Sequence, residues 1–257
     1  MLTGVDPTSD RPVYRQIADS LRGAIERGEL APGDRLPSES QLMERFGVAQ
    51  GTVRNALGQL RGEGLVIAEH GRGVYVRTRP RLRRRAHDRF TRKHREAGKA
   101  AYLAESEAED VKPSVEVYFV GQERSDASTA ERLGIGEGAK LLVRRRRYLS
   151  DDQPTELAVS YIPWELAKGT PMVEENPGPG GIYARIEDAG HRLGHFDEEI
   201  TARMPTPEEA KALRLAAGSP VLTLVRTAFD VDGQPVEVCD TVMSADMYLL
   251  HYRLPAD

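Results

Sequence analysis

The stretch from residue 37 to residue 57 constrains the fold of this chain most, because it predicts two short helices separated by a glycine turn. Ser38 and Gln41 form a capping box, in which the serine oxygen accepts a backbone N–H and the glutamine reaches back to the cap. Gly47 follows the apolar face of this helix, where glycine adopts the left-handed conformation that ends a helix without strain. The sequence therefore predicts a short helix that ends at a tight turn.

A second helix is predicted directly after this turn and is closed by Gly64. Its apolar residues recur at i, i+3, i+4 and i+7, namely Val53, Ala56, Leu57 and Leu60. Two short helices with a tight turn are typical of the helix-turn-helix motif, whose second helix reads base edges in the major groove. On the outward face, Arg54 matches guanine and Gln50 or Asn55 matches adenine, while an ordinary helical hairpin remains the alternative.

A β-hairpin is predicted after the second helix, and it favours DNA binding over an ordinary helical hairpin. Two apolar runs, residues 65–68 and 73–77, flank the polar turn at residues 69–72. Upstream, an apolar stripe predicts a further helix between Pro12 and Gly28, and residues 1–11 predict a mobile tail. Three helices and a hairpin together predict a winged helix-turn-helix domain.

Four segments of this domain carry a family resemblance: Pro12-Val-Tyr-Arg-Gln-Ile17, residues 28–39, Thr52-Val-Arg-Asn-Ala-Leu57 and Glu63-Gly-Leu-Val66. Through them, residues 12–77 resemble the winged helix-turn-helix of GntR-family bacterial transcription regulators. The resemblance implies phosphate and base contacts at the family's DNA-surface positions, here Arg35, Ser38, Glu39, Thr52, Arg54 and Gly71. The predicted DNA surface also includes neighbours on the second helix and in the wing turn, namely Gln50, Gly51, Asn55, His70 and Arg72.

One departure from the family pattern falls at the start of the second helix. Where the family usually has Ser-Arg, this chain has Ala49 and Gln50, so the usual first-turn arginine is missing. A glutamine amide matches adenine, whereas arginine matches guanine. We therefore predict that the base read by Gln50 is adenine in preference to guanine.

The net charge of −4 is distributed unevenly along the 257 residues. Residues 1–76 carry 9 basic and 10 acidic side chains, residues 77–95 carry 10 and 1, and residues 96–257 carry 17 and 29. The basic stretch 77–95 is therefore expected to lie along DNA phosphates, with a solvated linker as the alternative.

The remaining composition predicts a cytoplasmic protein with no membrane partner and no cofactor. Cys239 is the only cysteine, which excludes an internal disulfide and suits a reducing compartment. The N-terminus has no apolar signal-like region, and no run approaches the roughly 18 apolar residues of a membrane span. His191 and His195 do not predict a metal site, because Gly194 bends the chain between them.

The C-terminal part predicts an antiparallel sheet with flanking helices, built from two similar halves. Each half has the order helix, glycine turn, strand, tight turn and strand, and Asp151-Asp-Gln-Pro154 matches Asp232-Gly-Gln-Pro235. Strands are predicted at residues 100–108, 115–120, 141–149, 156–162, 194–202, 221–230 and 236–243. The predicted fold class is α+β, with a winged helix-turn-helix domain (1–76), a basic linker (77–88) and a sheet domain (89–257).

Several motifs of the sheet domain carry a second resemblance: Leu133-Gly-Ile-Gly-Glu-Gly138, Arg144-Arg-Arg-Arg-Tyr148, Tyr161-Ile-Pro163, Ile182-Tyr183 and Asp232-Gly-Gln-Pro-Val-Glu237. With them, residues 89–257 resemble the UTRA effector domain of the HutC branch of GntR regulators. The resemblance implies an antiparallel sheet related to chorismate lyase and a small-molecule site between this sheet and its helices. It also implies dimerisation through this domain and release of DNA on effector binding.

The arginine run contains the candidate effector site. Alternate side chains of a strand share a face, so Arg144 and Arg146 point one way and their neighbours the other. We predict that this pair binds a carboxylate or phosphate, with solvated arginines on an edge strand as the alternative. The resemblance places ligand-binding positions around Arg146 and at Glu237, and the other predicted effector residues are Tyr161, His195 and Met243.

Two positions depart from the polar set of the UTRA family. The acidic residue common after the first hairpin turn is Ala158, and the tyrosine often found six residues beyond Glu237 is Met243. These changes favour a less polar ligand, or one whose only charge meets the arginines, over a sugar phosphate.

The sequence therefore predicts a homodimeric repressor that binds a pseudo-palindromic operator in double-stranded DNA and is released by a small-molecule effector. A repressor without a ligand stays open as an alternative, because the polar set is incomplete. A chorismate-lyase-like enzyme is the third possibility. Paired carboxylates, a nucleophile with its base and a metal cluster are not recognisable, so we expect no catalytic residues.

Overall fold

A computed structural model describes residues 2–6, 8–69, 71–77, 82–85 and 112–254. The chain divides into two compact units, one of residues 1–79 with 215–219 and one of residues 80–214 with 220–257. The predicted strand at residues 100–108 and the predicted DNA contact His70 lie outside the described residues.

The first unit contains the three predicted helices, α1 (Val13–Glu26), α2 (Glu39–Phe46) and α3 (Gln50–Gly62). The capping box at the start of α2 is confirmed, because Gln41 N donates to Ser38 Oγ at 3.3 Å and Ser38 N donates to Gln41 Oε1 at 2.8 Å. Gly47 ends α2 with a φ of 63°, in the left-handed region that favours glycine. The apolar stripes of the helices meet in one core, which includes Ile17, Leu21, Leu42, Val53, Leu57 and Leu60.

The predicted wing is confirmed as an antiparallel hairpin of β1 (Val66–Glu69) and β2 (Gly73–Val76). The chain before α2 adds backbone hydrogen bonds to the hairpin. Leu36 N donates to Val74 O at 2.8 Å, and Val76 N donates to Asp34 O at 2.9 Å. The wing is therefore anchored to the segment that leads into α2.

The prediction of a mobile N-terminal tail is wrong for residues 2–6, which pack on the helices. Leu2 and Val5 contact the apolar core, and Ser20 Oγ donates to Thr3 O at 3.0 Å. The two apolar side chains are too few to show a period, so the sequence pattern did not reveal this contact.

The second unit contains a six-stranded antiparallel sheet of the strands β4 (Pro113–Arg124), β5 (Lys140–Ser150), β6 (Gln153–Pro163), β7 (Leu193–Arg203), β8 (Val221–Asp230) and β9 (Pro235–Ser244). Their order in the sheet is β4-β5-β6-β9-β8-β7. Two three-stranded meanders therefore meet where β6 pairs with β9, which agrees with the predicted internal repeat. Asp151 and Asp152 form the β5–β6 turn with φ values of 50° and 62°.

Helices cover both faces of this sheet. On one face, which we call face A, α5 (Trp164–Ala167), a 3-10 turn (Pro171–Val173) and α6 (Gly181–Asp188) pack over Leu142, Ile162 and Ala228. On the opposite face, face B, α4 (Ala127–Leu133) packs over Leu141, Val143 and Val238, while α7 (Pro207–Ala212) follows β7. The predicted α+β class is confirmed. Among the described residues, none of the helices is both long and apolar enough to span a bilayer.

A parallel strand pair was not predicted from the sequence. β3 (Leu82–Arg85) pairs with β10 (Tyr248–His251), and Leu82 and Tyr248 pack with Leu224 and Met243 on face A. β3 lies inside the predicted linker at residues 77–88, where the dominance of arginine hides the apolar signal of a strand.

Candidate functional site

The start of α3 presents the predicted base-reading side chains to solvent. Gln50, Gly51, Arg54 and Asn55 are exposed, and Thr52 is half-buried. Gln50 and Arg54 stand one helical turn apart, so their side chains project from the same face of α3. Ala49 caps this helix without a side-chain hydrogen bond, so the first N–H groups of α3 lack the capping serine that the family usually has.

Glu39, the first residue of α2, joins these two side chains. Gln50 Nε2 donates to Glu39 Oε2 at 2.8 Å, and Arg54 Nε donates to the same oxygen at 3.1 Å. These hydrogen bonds, first from Gln50 and then from Arg54, hold the pKa of Glu39 below its usual range. The structure thus brings together three residues that the sequence proposed as separate DNA contacts.

The other predicted DNA contacts lie around the wing. The backbone of Arg35 pairs with that of Tyr75 in a single antiparallel β-bridge. The Arg35 side chain lies directly against Gly73, since a Cβ atom at Gly73 would come within 2.8 Å of Arg35 Nε. Arg72 is exposed and forms an ion pair with Glu69 at 2.6 Å. Gly71 has a φ of 73°, which a side chain would strain. The Ser38 hydroxyl already accepts a hydrogen bond in the α2 cap.

A row of buried polar side chains crosses face A of the second unit. The register aligns Arg144 with Ser160, Ser160 with Cys239 and Cys239 with Arg226 across β5, β6, β9 and β8. Arg146, Glu237 and Met243 occupy alternate positions on the same face. This row is the candidate effector site.

Arg144 binds protein backbone instead of offering a free fork to a ligand. Its side chain is 1% exposed and donates to the carbonyl oxygens of Met172 at 2.6 Å and Glu175 at 2.7 Å, with a third bond to Glu174 O. Burial and the neighbouring Arg146 lower the pKa of Arg144 to about 10. The expectation of a two-arginine anion site is therefore corrected, because Arg144 secures the segment after α5.

Arg146 is the arginine that remains available for a ligand. It is half-buried and donates to Ser160 Oγ, while its shielded Nε has no hydrogen-bond partner among the described residues. Within the same described part of the chain, no carboxylate lies within ion-pair distance of Arg146. The alternative of four solvated arginines fails, since Arg144 is buried and Arg145 and Arg147 form ion pairs with Glu123 and Glu116.

Glu237 supplies the opposite charge on face A. Its side chain is buried, and its Oε2 has no hydrogen-bond partner within the described ranges. Burial, followed by the nearby Glu237 carboxylate, raises the pKa of Tyr183 on α6 well above its usual value. A cation and an anion with unused hydrogen-bonding atoms on one partly covered face suit a small polar ligand.

Two predicted effector residues lie on the face of the sheet opposite Arg146. Tyr161 points to face B, where burial and Asp240 raise its pKa to about 12. His195 is exposed and stacks on Phe229 at 4.6 Å, while its neighbours Phe196 and Glu198 point to face A. The sequence did not show on which face of the sheet these two side chains lie, and the strand register places them opposite Arg146.

Met243 lies on face A but beneath the β3–β10 pair. It is fully buried, and its Sδ lies 3.5 Å from Arg84 Nη1. Sequence reasoning missed Ser160, Cys239, Thr241, Arg226 and Tyr183, which share face A with Arg146. Ser160 was detectable as a polar residue within the mainly apolar stretch 157–162, whereas the others required the register.

Glu198 links Arg84 of the basic stretch to the six-stranded sheet. Its Oε1 accepts from Arg84 Nη2 at 2.8 Å and from Arg226 Nε at 2.9 Å, and Tyr252 Oη donates to Oε2 at 2.6 Å. Burial opposes the charge of Glu198, but Arg84 and Arg226 bring its pKa down to about 2. Arg84 therefore serves the fold, which corrects its predicted contact with phosphates, while Arg83 stays exposed.

A metal site is not present among the described residues. His191 Nδ1 lies 2.9 Å from Asp230 Oδ2, so this histidine has a protein partner. Cys239 is buried, and burial raises the pKa of its thiol.

A winged helix-turn-helix that exposes the predicted base-reading residues, together with a separate sheet unit that has a buried polar face, defines a DNA-binding transcription regulator. Comparison with known proteins identifies the particular family. Residues 13–76 match the gntR family of bacterial regulatory proteins, and residues 108–248 match the UTRA domain. The chain belongs to the GntR family of transcription regulators, in the branch that carries a UTRA domain.

Individual relatives agree with this assignment. An HTH-type transcriptional regulator of Streptomyces coelicolor is 34% identical over 247 residues, which cover 94% of this chain and 92% of the relative. The mannosyl-D-glycerate transport/metabolism system repressor MngR of Escherichia coli is 31% identical, with 93% and 94% covered. A crystal structure of a GntR-family transcriptional regulator has 30% identity and a TM-score of 0.67, and 96% of this chain and 99% of that chain are covered.

Proposed function

We propose that this regulator is a cytoplasmic, homodimeric repressor that binds a pseudo-palindromic operator and releases it when a small anion occupies face A. The repressor role is supported by MngR, a repressor that is similar along nearly the whole chain. A symmetric dimer places two recognition helices on half-sites roughly 34 Å apart, which suits a pseudo-palindrome. The ligand must favour the dimer geometry that does not bind DNA, because equal affinity for both states shifts nothing.

The environment of the Arg146 guanidinium is the observation that supports the effector proposal. A half-buried guanidinium that forms no direct ion pair among the described residues matches an incoming carboxylate or phosphate, with which it forms charge-assisted hydrogen bonds. Because Ala158 and Met243 replace polar residues on the same face, we propose a ligand with one anionic group and a less polar remainder. The name of MngR refers to mannosyl-D-glycerate, whose glycerate moiety bears one carboxylate.

Thermal unfolding tests this ligand class directly. The protein is unfolded thermally in the presence of a panel of sugar carboxylates and amino-sugar phosphates. A singly charged carboxylate should raise the Tm of the protein by several degrees. A comparable rise with an amino-sugar phosphate would count against the less polar ligand. The second candidate is a repressor that has no ligand, and the loss of polar residues at Ala158 and Met243 favours it. Calorimetry with a wider metabolite panel distinguishes the two candidates, because a repressor without a ligand would bind none of the metabolites.

We expect Arg54 to contact a base and Arg83 to contact phosphates. Arg54→Ala should relax base preference at one operator position by about 1–3 kcal/mol, because the forked contact to guanine is lost. Arg83→Ala, at an exposed residue of β3, should weaken binding to all sequences alike and make the salt dependence shallower. Titrations against a set of single-base operator variants measure both effects. Equal changes in specificity for the two variants would contradict this division.

Gln50 is expected to select adenine over guanine. In Gln50→Arg, the guanidinium restores the donor fork of the family pattern, so binding-site selection should return guanine at that position. An unchanged consensus sequence would reject this role for Gln50.

A further inference from the structure

The Glu39 carboxylate determines which way the Gln50 amide points. A carboxylate only accepts hydrogen bonds, so the group 2.8 Å from Glu39 Oε2 must be the Gln50 NH2 group. The Gln50 oxygen is therefore directed away from Glu39. A glutamine without such a partner can flip its amide and offer either a donor or an acceptor to a base.

The Glu39 carboxylate also determines which nitrogens of Arg54 can donate hydrogen bonds to DNA. Arg54 Nε donates to both Glu39 oxygens, at 3.1 and 3.3 Å, and its side chain remains 62% exposed. Among the described residues, none accepts a hydrogen bond from the two terminal nitrogens of Arg54. These nitrogens form a fork that matches the O6 and N7 acceptors of guanine.

We infer that Glu39 is a positioning residue for sequence recognition, which orients Gln50 to accept from an adenine amino group and Arg54 to donate to guanine. The fixed Gln50 oxygen disfavours guanine, which offers acceptors at that edge of the major groove. Without Glu39, Gln50 flips freely and guanine is tolerated. This inference rests on the base-reading role proposed above for Gln50 and Arg54.

The full-length protein with Glu39→Ala provides the test. Wild-type binding-site selection, repeated with Gln50→Ala and Arg54→Ala, first assigns the base pair that each side chain reads. Dissociation constants are then measured for duplexes that carry adenine or guanine at the Gln50 position. The expected result is a loss of about tenfold in the adenine-to-guanine preference, within the range of one good base contact.

Glu44→Ala is the matched control, because Glu44 is an exposed glutamate on the same helix and its removal changes the net charge equally. Both variants should bind all duplexes more tightly at low salt, but only Glu39→Ala should lose discrimination. Glu39→Gln retains an oxygen acceptor for Gln50, so it should keep the adenine preference while the guanine preference of Arg54 weakens.

Retention of the wild-type adenine preference by Glu39→Ala would overturn the inference. A wild-type protein that shows no base preference at all would instead overturn the proposed base reading. An adenine preference that survives Gln50→Ala would show that another residue reads this base, and would reject the role of Glu39 at that position.

Discussion

Glu198→Ala is expected to lower the free energy of unfolding of the second unit by about 3–5 kcal/mol, as for other buried ion pairs that lose one partner. The Glu198 carboxylate lies between Arg84 and Arg226, whose side chains are 1% and 5% exposed. Alanine would leave both guanidinium groups without this anion in a poorly solvated environment. Because Arg84 belongs to β3, the loss should also loosen the β3–β10 pair.

Denaturant unfolding of the full chain, followed by a probe in the sheet unit, measures this effect. Glu199→Ala is the control, because the neighbouring Glu199 is 64% exposed and pairs with Arg132 at the surface. Its removal should lower the free energy of unfolding by no more than about 1 kcal/mol. Equal losses for the two variants would show that the buried network does not stabilise the sheet.

The pH dependence provides a second readout of the same network. The pKa of Glu198 is about 2 in the folded protein and about 4.5 in an unfolded chain. The folded state therefore binds the proton less tightly, and the stabilisation by the carboxylate is complete above about pH 4.5 and is lost as the pH falls toward 2. Glu198→Gln should flatten the decline of stability over that window.

Arg146→Met is expected to weaken anion binding by about 30-fold or more, since removing a charged partner from a desolvated contact typically costs about 2–5 kcal/mol. The same change should lower the free energy of unfolding without ligand by less than Arg144→Met does, because Arg146 forms fewer hydrogen bonds than Arg144. Among the described residues, Arg146 forms no direct ion pair, although the Glu237 and Glu156 carboxylates act on its charge from a longer distance. Methionine fills much of the space of the Arg146 stem.

Arg144→Met is expected to have the opposite effect to Arg146→Met, with a loss of stability as its main consequence. Arg144 donates to the carbonyl oxygens of Met172, Glu174 and Glu175. Its loss leaves the buried Met172 oxygen and two partly buried oxygens without this donor, which should destabilise the unit. Calorimetry with inorganic phosphate and with a sugar carboxylate, together with denaturant unfolding, tests both variants. If Arg146→Met binds these anions as well as the wild type, Arg146 is not the anion contact.

The sequence predicted the first unit closely because its signals are local. The capping box of Ser38 and the left-handed Gly47 depend on residues within one helical turn, and the structure retains both. The alternation of Arg144 and Arg146 also follows from the geometry of a single strand. In contrast, the β3–β10 pair joins residues more than 160 positions apart, so no local sequence pattern predicts it.

By itself, the sequence determined the winged helix-turn-helix, the repeated antiparallel strands and the residues that α3 exposes, because period, caps and turns act between near neighbours. Only the tertiary structure decided that Arg144 binds backbone, whereas Arg146 forms no direct ion pair among the described residues. It also decided that Tyr161 and His195 lie opposite Arg146 on the sheet, and that Glu39 accepts hydrogen bonds from Gln50 and Arg54. The role of a charged side chain depends on which carbonyl or carboxylate lies within hydrogen-bond distance. Strand register and helix packing set that distance between residues that are far apart in the chain.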